Sequence, residues 1–323
     1  MSSSNMPTAF SFLFLMDPYP TLNLETETSL ALMTELLSRG HRVYWLEESD
    51  LYLDEGKPRG HVAEVTNVQP LVTGKRTDLP LETFSALLVR KDPPFDQQYL
   101  HLTLILDHLP PAMMQFNSVN ALRNFNEKLL PLRWPELAPP TLVTANPAVI
   151  KDFIREHQVA VLKPLDDCSG RGVKRIQYDG ETESRVNNYL TSLSGPSPYV
   201  IAQRFLPEVA KGDKRVYLVN GEPVGWVNRI PQPNNYLANI HQGAICEATS
   251  LSWAEKAAIT RMAPFLVREG IFLAGIDFIG DYLTEVNITS PSAIRQINQV
   301  MNDRIEVKLV DGMLESLTLR LAA

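Results

Sequence analysis

The chain has 323 residues, 44% hydrophobic and 21% charged, and a formal net charge of −7 at pH 7. That length exceeds one small domain and sets an expectation of two or three compact units, each with its own core. The acidic balance argues against general nucleic-acid binding, which needs a concentrated basic surface, and leaves room only for a local basic pocket.

The start, MSSSNMPTAFSFLFLMDPYP, has an apolar run over residues 9–16 with no basic residue before it and Asp17-Pro18 directly after. This predicts a buried first strand rather than a signal peptide. No stretch approaches the roughly 20 apolar residues that cross a bilayer, so no membrane partner is expected. Leu30, Met33, Leu36 and Leu37, closed by Gly40, predict a helix, and residues 43–46 a second strand, so the chain opens β-α-β. A third strand at 86–89 ends at Arg90-Lys91-Asp92-Pro93-Pro94. In an open parallel sheet ligands bind beyond such strand ends, which makes Arg90 a candidate contact. A surface ion pair with Asp92 or Asp96 is the competing reading.

From about residue 125 the strands are more separated, at 160–162, 173–177, 199–205, 216–219 and 223–227, with Gly-containing turns between them. They predict antiparallel sheets carrying helices on one face. A helix is expected over about 253–268. The expected fold class is therefore α/β followed by α+β, with an amino-terminal open α/β domain over 1–123 and a second unit over 124–323.

Lys163 ends an apolar strand and is followed by a turn with Gly170 and Gly172, a hairpin whose tip brings backbone N–H groups close to a phosphate. A flexible hairpin without a ligand fits the same pattern. Lys128 lies in NFNEKLL, where Asn126 and Glu127 suit a helix start. Phe205 and Leu206 offer an apolar wall beside polar backbone, suited to adenine. Arg215 and Arg229 present forked donors for phosphate or an oxyanion. In GIDFIGDYLTEVNITSP, Glu285 and Asn287 leave one face of a strand while Asp277 lies across the Gly280-Asp281 turn, an oxygen-rich set for Mg²⁺ or a plain hairpin with solvated acids. Cys168 and Cys246, the only cysteines, predict reduced thiols, a cytoplasmic setting and no zinc site. Nothing near Cys168 marks it as a nucleophile. The six histidines show no HExxH spacing.

Taken in order, MDP at 16–18, VRKDPPFD at 89–96, NEKL at 126–129, LKPLD at 162–166, AQ and LP within 202–207, GDKRV and GEPV within 212–224, RIPQ at 229–232 and GIDFIGDYLTEVNITSP at 275–291 make the chain resemble prokaryotic-type glutathione synthetase. That family belongs to the ATP-grasp ligases, and the resemblance runs over nearly the whole chain. It implies an ATP-grasp fold and an ATP- and Mg²⁺-dependent ligase, with Mn²⁺ as an alternative metal. The implied reaction joins γ-glutamylcysteine to glycine through an acyl phosphate. It further implies ATP-binding roles for Lys128, Lys163, Ser169, Gly170, Gln203, Phe205 and Leu206. Asp277, Glu285 and Asn287 fall on metal ligands, Arg90, Asn287, Ser290 and Ser292 on substrate contacts, and Arg215 and Arg229 on catalytic positions. The partners implied are a small-molecule or dipeptide substrate and other copies of the chain, as a dimer or tetramer.

The chain departs from the family after RIPQ, where PNNYLANIHQGA at 233–244 replaces a glycine-rich stretch close to GGETRGNLAAGG. Leu237 stands where an arginine is expected and His241 where a small residue is. Asp167 replaces a glycine in the lid and adds negative charge near phosphates, and Gln296 replaces a glutamate. These changes leave two further expectations open: a ligase of specialised metabolism with another acid or amine, and a nucleotide-binding homologue without turnover.

Overall fold

The computed structural model describes residues 9–193 and 198–322, whose strands form three sheets. The first contains β1 (Ser11–Met16), β2 (Arg42–Glu47), β3 (Leu51–Asp54), β4 (Lys57–Val68), β5 (Leu71–Thr73), β6 (Thr77–Pro80), β7 (Ala86–Val89) and β8 (Met114–Gln115). β1 is central, parallel to β2 and β7, and β8 runs parallel beyond β7. Every residue of β1 after Ser11 is buried, as a strand covered on both faces requires. The expected β-α-β opening is present, with α1 (Thr28–Ser38) followed by Gly40 at φ +80°. Glu27 caps α1 by accepting from Ser29 N at 2.8 Å. α2 (Gln97–Leu106) and α3 (Val119–Asn124) follow. The structure adds β3 to β6, antiparallel strands gathered around β4, which the sequence pattern does not announce because much of this stretch is polar and exposed.

The second sheet is antiparallel, in the order β11 (Lys174–Gln177), β10 (Val159–Pro164), β12 (Val200–Arg204), β9 (Thr141–Thr144). α4 (Pro147–His157) and α5 (Thr182–Ser192) pack on it around Ile150, Ile154, Leu162, Val186 and Tyr189. The third sheet runs β15 (Ile245–Glu247), β14 (Glu222–Ile230), β13 (Asp213–Val219), β16 (Leu273–Ile279), β17 (Tyr282–Asn287), again antiparallel. It carries α6 (Trp253–Arg268), α7 (Ile294–Met301) and α8 (Ile305–Ala322). α6 starts where expected because Ser252 and Glu255 form a reciprocal capping box.

Apolar packing divides the molecule unevenly. One core joins Leu13, Leu15 and Leu87 of the first sheet to Val216, Ile276 and Phe278 of the third, and another joins Phe12 and Phe14 to Tyr217, Val227 and Leu309. The second sheet keeps its own smaller core.

The helix expected from Asn126 is absent. Asn126 Oδ1 accepts from Lys128 N at 3.0 Å and Leu129 N at 3.2 Å, closing a turn that runs into a 3₁₀ segment, Leu130–Arg133. Pro135 ends it, since the residue before a proline avoids helical backbone.

Candidate active site

The second and third sheets face each other across an open cleft of about 850 Å³. Lys128, Lys163, Ser169, Gly170, Gln203, Phe205, Leu206, Glu285 and Asn287 all line it. Its inner end is apolar, between Val161, Phe205, Leu206, Val209 and Ile279. Gln203 is fixed there by donating from Nε2 to Thr141 Oγ1 at 3.0 Å, and the Arg175 guanidinium sits 4.4 Å above the Phe205 ring. At the other end Lys163 Nζ lies 3.7 Å from Glu285 Oε1, and Lys128 Nζ donates to the Asp167 carbonyl in the glycine-containing loop.

That loop is held left-handed at Ser169 (φ +58°), Gly170 (φ +76°) and Gly172 (φ +68°). It is docked on its neighbours: Phe95 N donates to Asp166 O at 2.8 Å and Asn126 Nδ2 to Leu165 O at 2.9 Å. Asp167 does not stand as a free negative charge over the cleft. Its Oδ1 accepts from Arg171 Nε at 2.6 Å and from Cys168 N at 2.8 Å, so the added charge is neutralised within the loop itself. Burial raises the Cys168 thiol, against weaker pulls from Ser169 and Arg171, and it stays protonated near neutrality.

A charged row crosses the third sheet. Arg215 on β13 is registered with Asp277 on β16, which is registered with Glu285 on β17, while Asp213 faces Arg229 on β14. Arg215 Nη2 donates to Asp277 Oδ2 at 2.7 Å, and Arg229 Nη2 lies 3.0 Å from Asp277 Oδ1 and 2.9 Å from Asp213 Oδ2. Arg215, Arg229 and Asp277 are all buried. Burial by itself would raise the Asp277 carboxyl, but the two guanidiniums hold it below the usual carboxylate range. For Asp213 burial wins over Arg229, and its carboxyl is pushed up to about 6. Arg229 Nη2 sits at ion-pair distance from both acids without hydrogen-bond alignment, so one of its buried donors has no hydrogen-bond partner.

Asn287 donates from Nδ2 to Gly275 O and Asp277 Oδ2, both at 3.1 Å, and its side-chain oxygen accepts no bond among the described residues. Glu285 and that oxygen are hard donors facing the cleft, whereas Asp277, on the adjacent strand, lines neither chamber and has both carboxylate oxygens engaged by Arg215, Arg229 and Asn287. Among the described residues no three His, Cys, Asp or Glu side chains gather into a metal cage. Two carboxylates and an amide suit Mg²⁺, which keeps several waters and takes phosphate oxygens as further ligands.

A second chamber of about 740 Å³ adjoins the first and shares Glu127, Cys168, Ser169, Asn239, Glu285 and Asn287 with it. Arg215, Arg229, Ser290 and Ser292 line this chamber only. Ser292 O accepts from Arg215 Nη1 at 3.3 Å, and Ser290 Oγ donates to Asp92 Oδ1. Arg90 lines neither chamber, nor does it pair with Asp92 or Asp96. It is 3% exposed and donates to Ser29 Oγ at 3.0 Å, Thr289 O at 3.4 Å and Pro291 O at 2.9 Å, pinning the 289–291 turn to the first sheet.

The divergent 233–244 stretch folds over both chambers. Leu237 lies in the first cleft against the glycine loop, whereas Ile240 and His241 face the second chamber and Asn239 touches both. The position where an arginine is expected therefore opens on the first cleft rather than on the second chamber. Asp213 and Glu127, which lie inside the GDKRV and NEKL motifs without a site role there, join the site. Asp213 shares a strand face with Arg215 at i, i+2, a signal the sequence does carry. Glu127 accepts from Ile288 N at 2.7 Å and Thr289 N at 2.8 Å, a link across 161 residues with no local trace.

Two family models match, "Prokaryotic glutathione synthetase, N-terminal domain" over residues 10–123 and "Prokaryotic glutathione synthetase, ATP-grasp domain" over 127–302. The chain is 35% identical over 314 residues to "Glutathione synthetase" of Yersinia pestis, covering 95% of this chain and 97% of that protein. It is 37% identical over 295 residues to that of Photorhabdus laumondii, covering 90% and 93%. Among solved structures, D-cycloserine synthetase DcsG superposes with a TM-score of 0.69 at 15% identity, covering 95% of this chain and 99% of that one. D-alanyl-alanine synthetase A from Vibrio cholerae gives 0.65 at 16%, covering 96% and 99%. These show an ATP-grasp fold, and with the family matches they establish that the chain belongs to the prokaryotic glutathione synthetase family.

Proposed function

We infer that the chain is an ATP-dependent carbon–nitrogen ligase, a glutathione synthetase that joins γ-glutamylcysteine to glycine through an acyl phosphate. The observation that carries this is the pair of contiguous chambers, one with two lysines and an apolar slot, the other with two buried arginines, meeting at Glu285 and Asn287.

In this reading Val161, Phe205 and Leu206 hold adenine, while Lys128 and Lys163 draw the phosphates toward the shared wall. Glu285 and Asn287 would hold Mg²⁺, joined by Asp277 on release of its Asn287 or Arg229 contact, and the bound ion would neutralise charge on the transferring phosphoryl group. The same hard donors suit Mn²⁺. Arg215 and Arg229 orient the reacting carboxylate and stabilise the oxyanion formed when the amine attacks the acyl phosphate. The loop at 168–172 and the stretch at 233–244 close over the junction and keep water from the acyl phosphate.

The test is ADP and phosphate release by purified protein with ATP, Mg²⁺, γ-glutamylcysteine and glycine. Product formation dependent on both substrates supports the reading. ADP release only with another acid or amine would replace it by a related ligase activity, and nucleotide binding without ADP formation across a broad panel would remove the enzyme altogether.

A further inference from the structure

Resting on the ligase reading above, we propose that Glu127 is a positioning residue for phosphoryl transfer: it fixes the free edge of β17, and with it Glu285 and Asn287, relative to Lys128. β17 is the last strand of the third sheet, and among the described residues no further strand pairs with its outer edge. An open edge leaves a row of backbone groups without partners. Glu127 takes the place of the missing strand. Its carbonyl accepts from Val286 N at 3.0 Å, and its carboxylate Oε1 accepts from Ile288 N at 2.7 Å, Thr289 N at 2.8 Å and Thr289 Oγ1 at 2.8 Å. Ile288 and Thr289 are buried, where an amide without an acceptor is costly, so a single oxygen secures the end of the strand.

The place of Glu127 in the chain turns this grip into a device of the site. The turn closed by Asn126 holds Glu127 beside Lys128, and Lys128 reaches the glycine loop through the Asp167 carbonyl. On the other side of the grip, Val286 and Ile288 flank Asn287, and Glu285 directly precedes Val286. Glu127, Glu285 and Asn287 all border both chambers. The lysine proposed for the phosphates and the two donors proposed for the metal come from segments far apart in sequence, and this one carboxylate joins them. Hydrogen bonds behind a donor set its orientation, and a displacement of about 1 Å at a reacting centre costs on the order of 10²-fold in rate. Such a role asks for reach and not for charge, because an oxygen must stand where Oε1 stands.

The experiment compares Glu127→Gln, which keeps the arm and an oxygen without the charge, with Glu127→Asp, which keeps the charge on a shorter arm, and with Glu127→Ala. Hydrogen exchange on the protein without nucleotide or metal follows the amides of 286–289, and protection in β1 and β13 reports that each variant is folded. Glu127→Asp and Glu127→Ala are expected to speed exchange at 286–289 by roughly 10-fold or more. The same two variants should lower kcat for ADP release by roughly 10- to 100-fold, with KM for γ-glutamylcysteine and glycine within about threefold of wild type. Glu127→Gln should restore both exchange and kcat. Thr289→Val removes one donor of the four and is expected to give a smaller loss of kcat with the same KM pattern, a milder check should the larger changes prevent folding. Turnover retained in Glu127→Asp and lost in Glu127→Gln would show that the charge itself acts in the chamber, and overturns the positioning role. Faster exchange at 286–289 with no loss of kcat marks a merely structural link and also overturns it, as does a loss of kcat with exchange unchanged. Wild-type protein that forms no ADP overturns the parent ligase reading, whereas any of the other failures beside an active wild type overturns this role alone.

Discussion

At the scale of single residues, the site is governed by how its buried charges share partners. Asp277 is shared between Arg215 and Arg229, and the forked geometry of Arg215 is what makes the pair bidentate. Arg215→Lys keeps the charge and loses the fork. It is expected to lower kcat/KM by about 10²- to 10³-fold, or about 2.7–4 kcal/mol, in steady-state ADP release, with KM for ATP nearly unchanged. Asp213 gives a pH prediction. Its folded-state carboxyl is raised to about 6, so its contribution to stability is present below the ordinary aspartate range and is lost as pH rises through about 6. Asp213→Asn should therefore gain in stability relative to wild type as pH goes from 5 to 7 in urea denaturation. A difference that stays flat across that window would show that Asp213 does not titrate there. The pairing of Asp213 with Arg229 needed the register between β13 and β14, which no sequence period reports. By contrast Glu285 and Asn287, two apart on one strand beside a glycine turn, were legible as a same-face pair. Arg90 was legible as a cation at a strand end, but its three oxygen partners come from distant segments, up to 201 residues away, and only folding assembles them.

At the scale of elements, the glycine loop and the 233–244 stretch act as one unit. A Cβ on Gly170 would meet Asn239 Oδ1 at 2.7 Å, and the residue is left-handed as well. Gly170→Ala should raise KM for ATP several-fold and destabilise by roughly 1 kcal/mol or more, read by nucleotide titration and denaturation. Leu237→Arg restores the residue type that the family resemblance leads one to expect. Because Leu237 lines the cleft proposed to take ATP, the substitution should change KM for ATP and leave KM for the amine in place; a change confined to the amine would show that the loop sits differently in the working enzyme. The hairpins and α6 could be read from the sequence because glycine turns and a capping box are local signals. The β3 to β6 extension could not, since its short strands derive their order from pairing with β4.

At the scale of the whole molecule, the second sheet stands on a separate core while the first and third share theirs. The least coupled unit is expected to open first. Hydrogen exchange should show lower protection in β9 to β12 than in β1 and β16, and ATP with Mg²⁺ should raise protection preferentially in the second sheet. Equal protection throughout would indicate that the three sheets unfold together. The α/β and α+β parts followed from the order of strand and helix signals, but the sharing of cores did not, because periodicity marks which face of an element is apolar and not which sheet will cover it.

That shared packing also bears on how the chain can be divided. The two family models meet between residues 123 and 127, as though the halves were interchangeable modules. Yet Leu13, Phe14 and Leu87 complete their surroundings with Val216, Tyr217 and Ile276 from the other half. Fragments cut at that seam would each present a bare oily face, so they would persist only when produced together, and grafting one half onto a foreign partner would demand matching the seam before any activity could be transplanted.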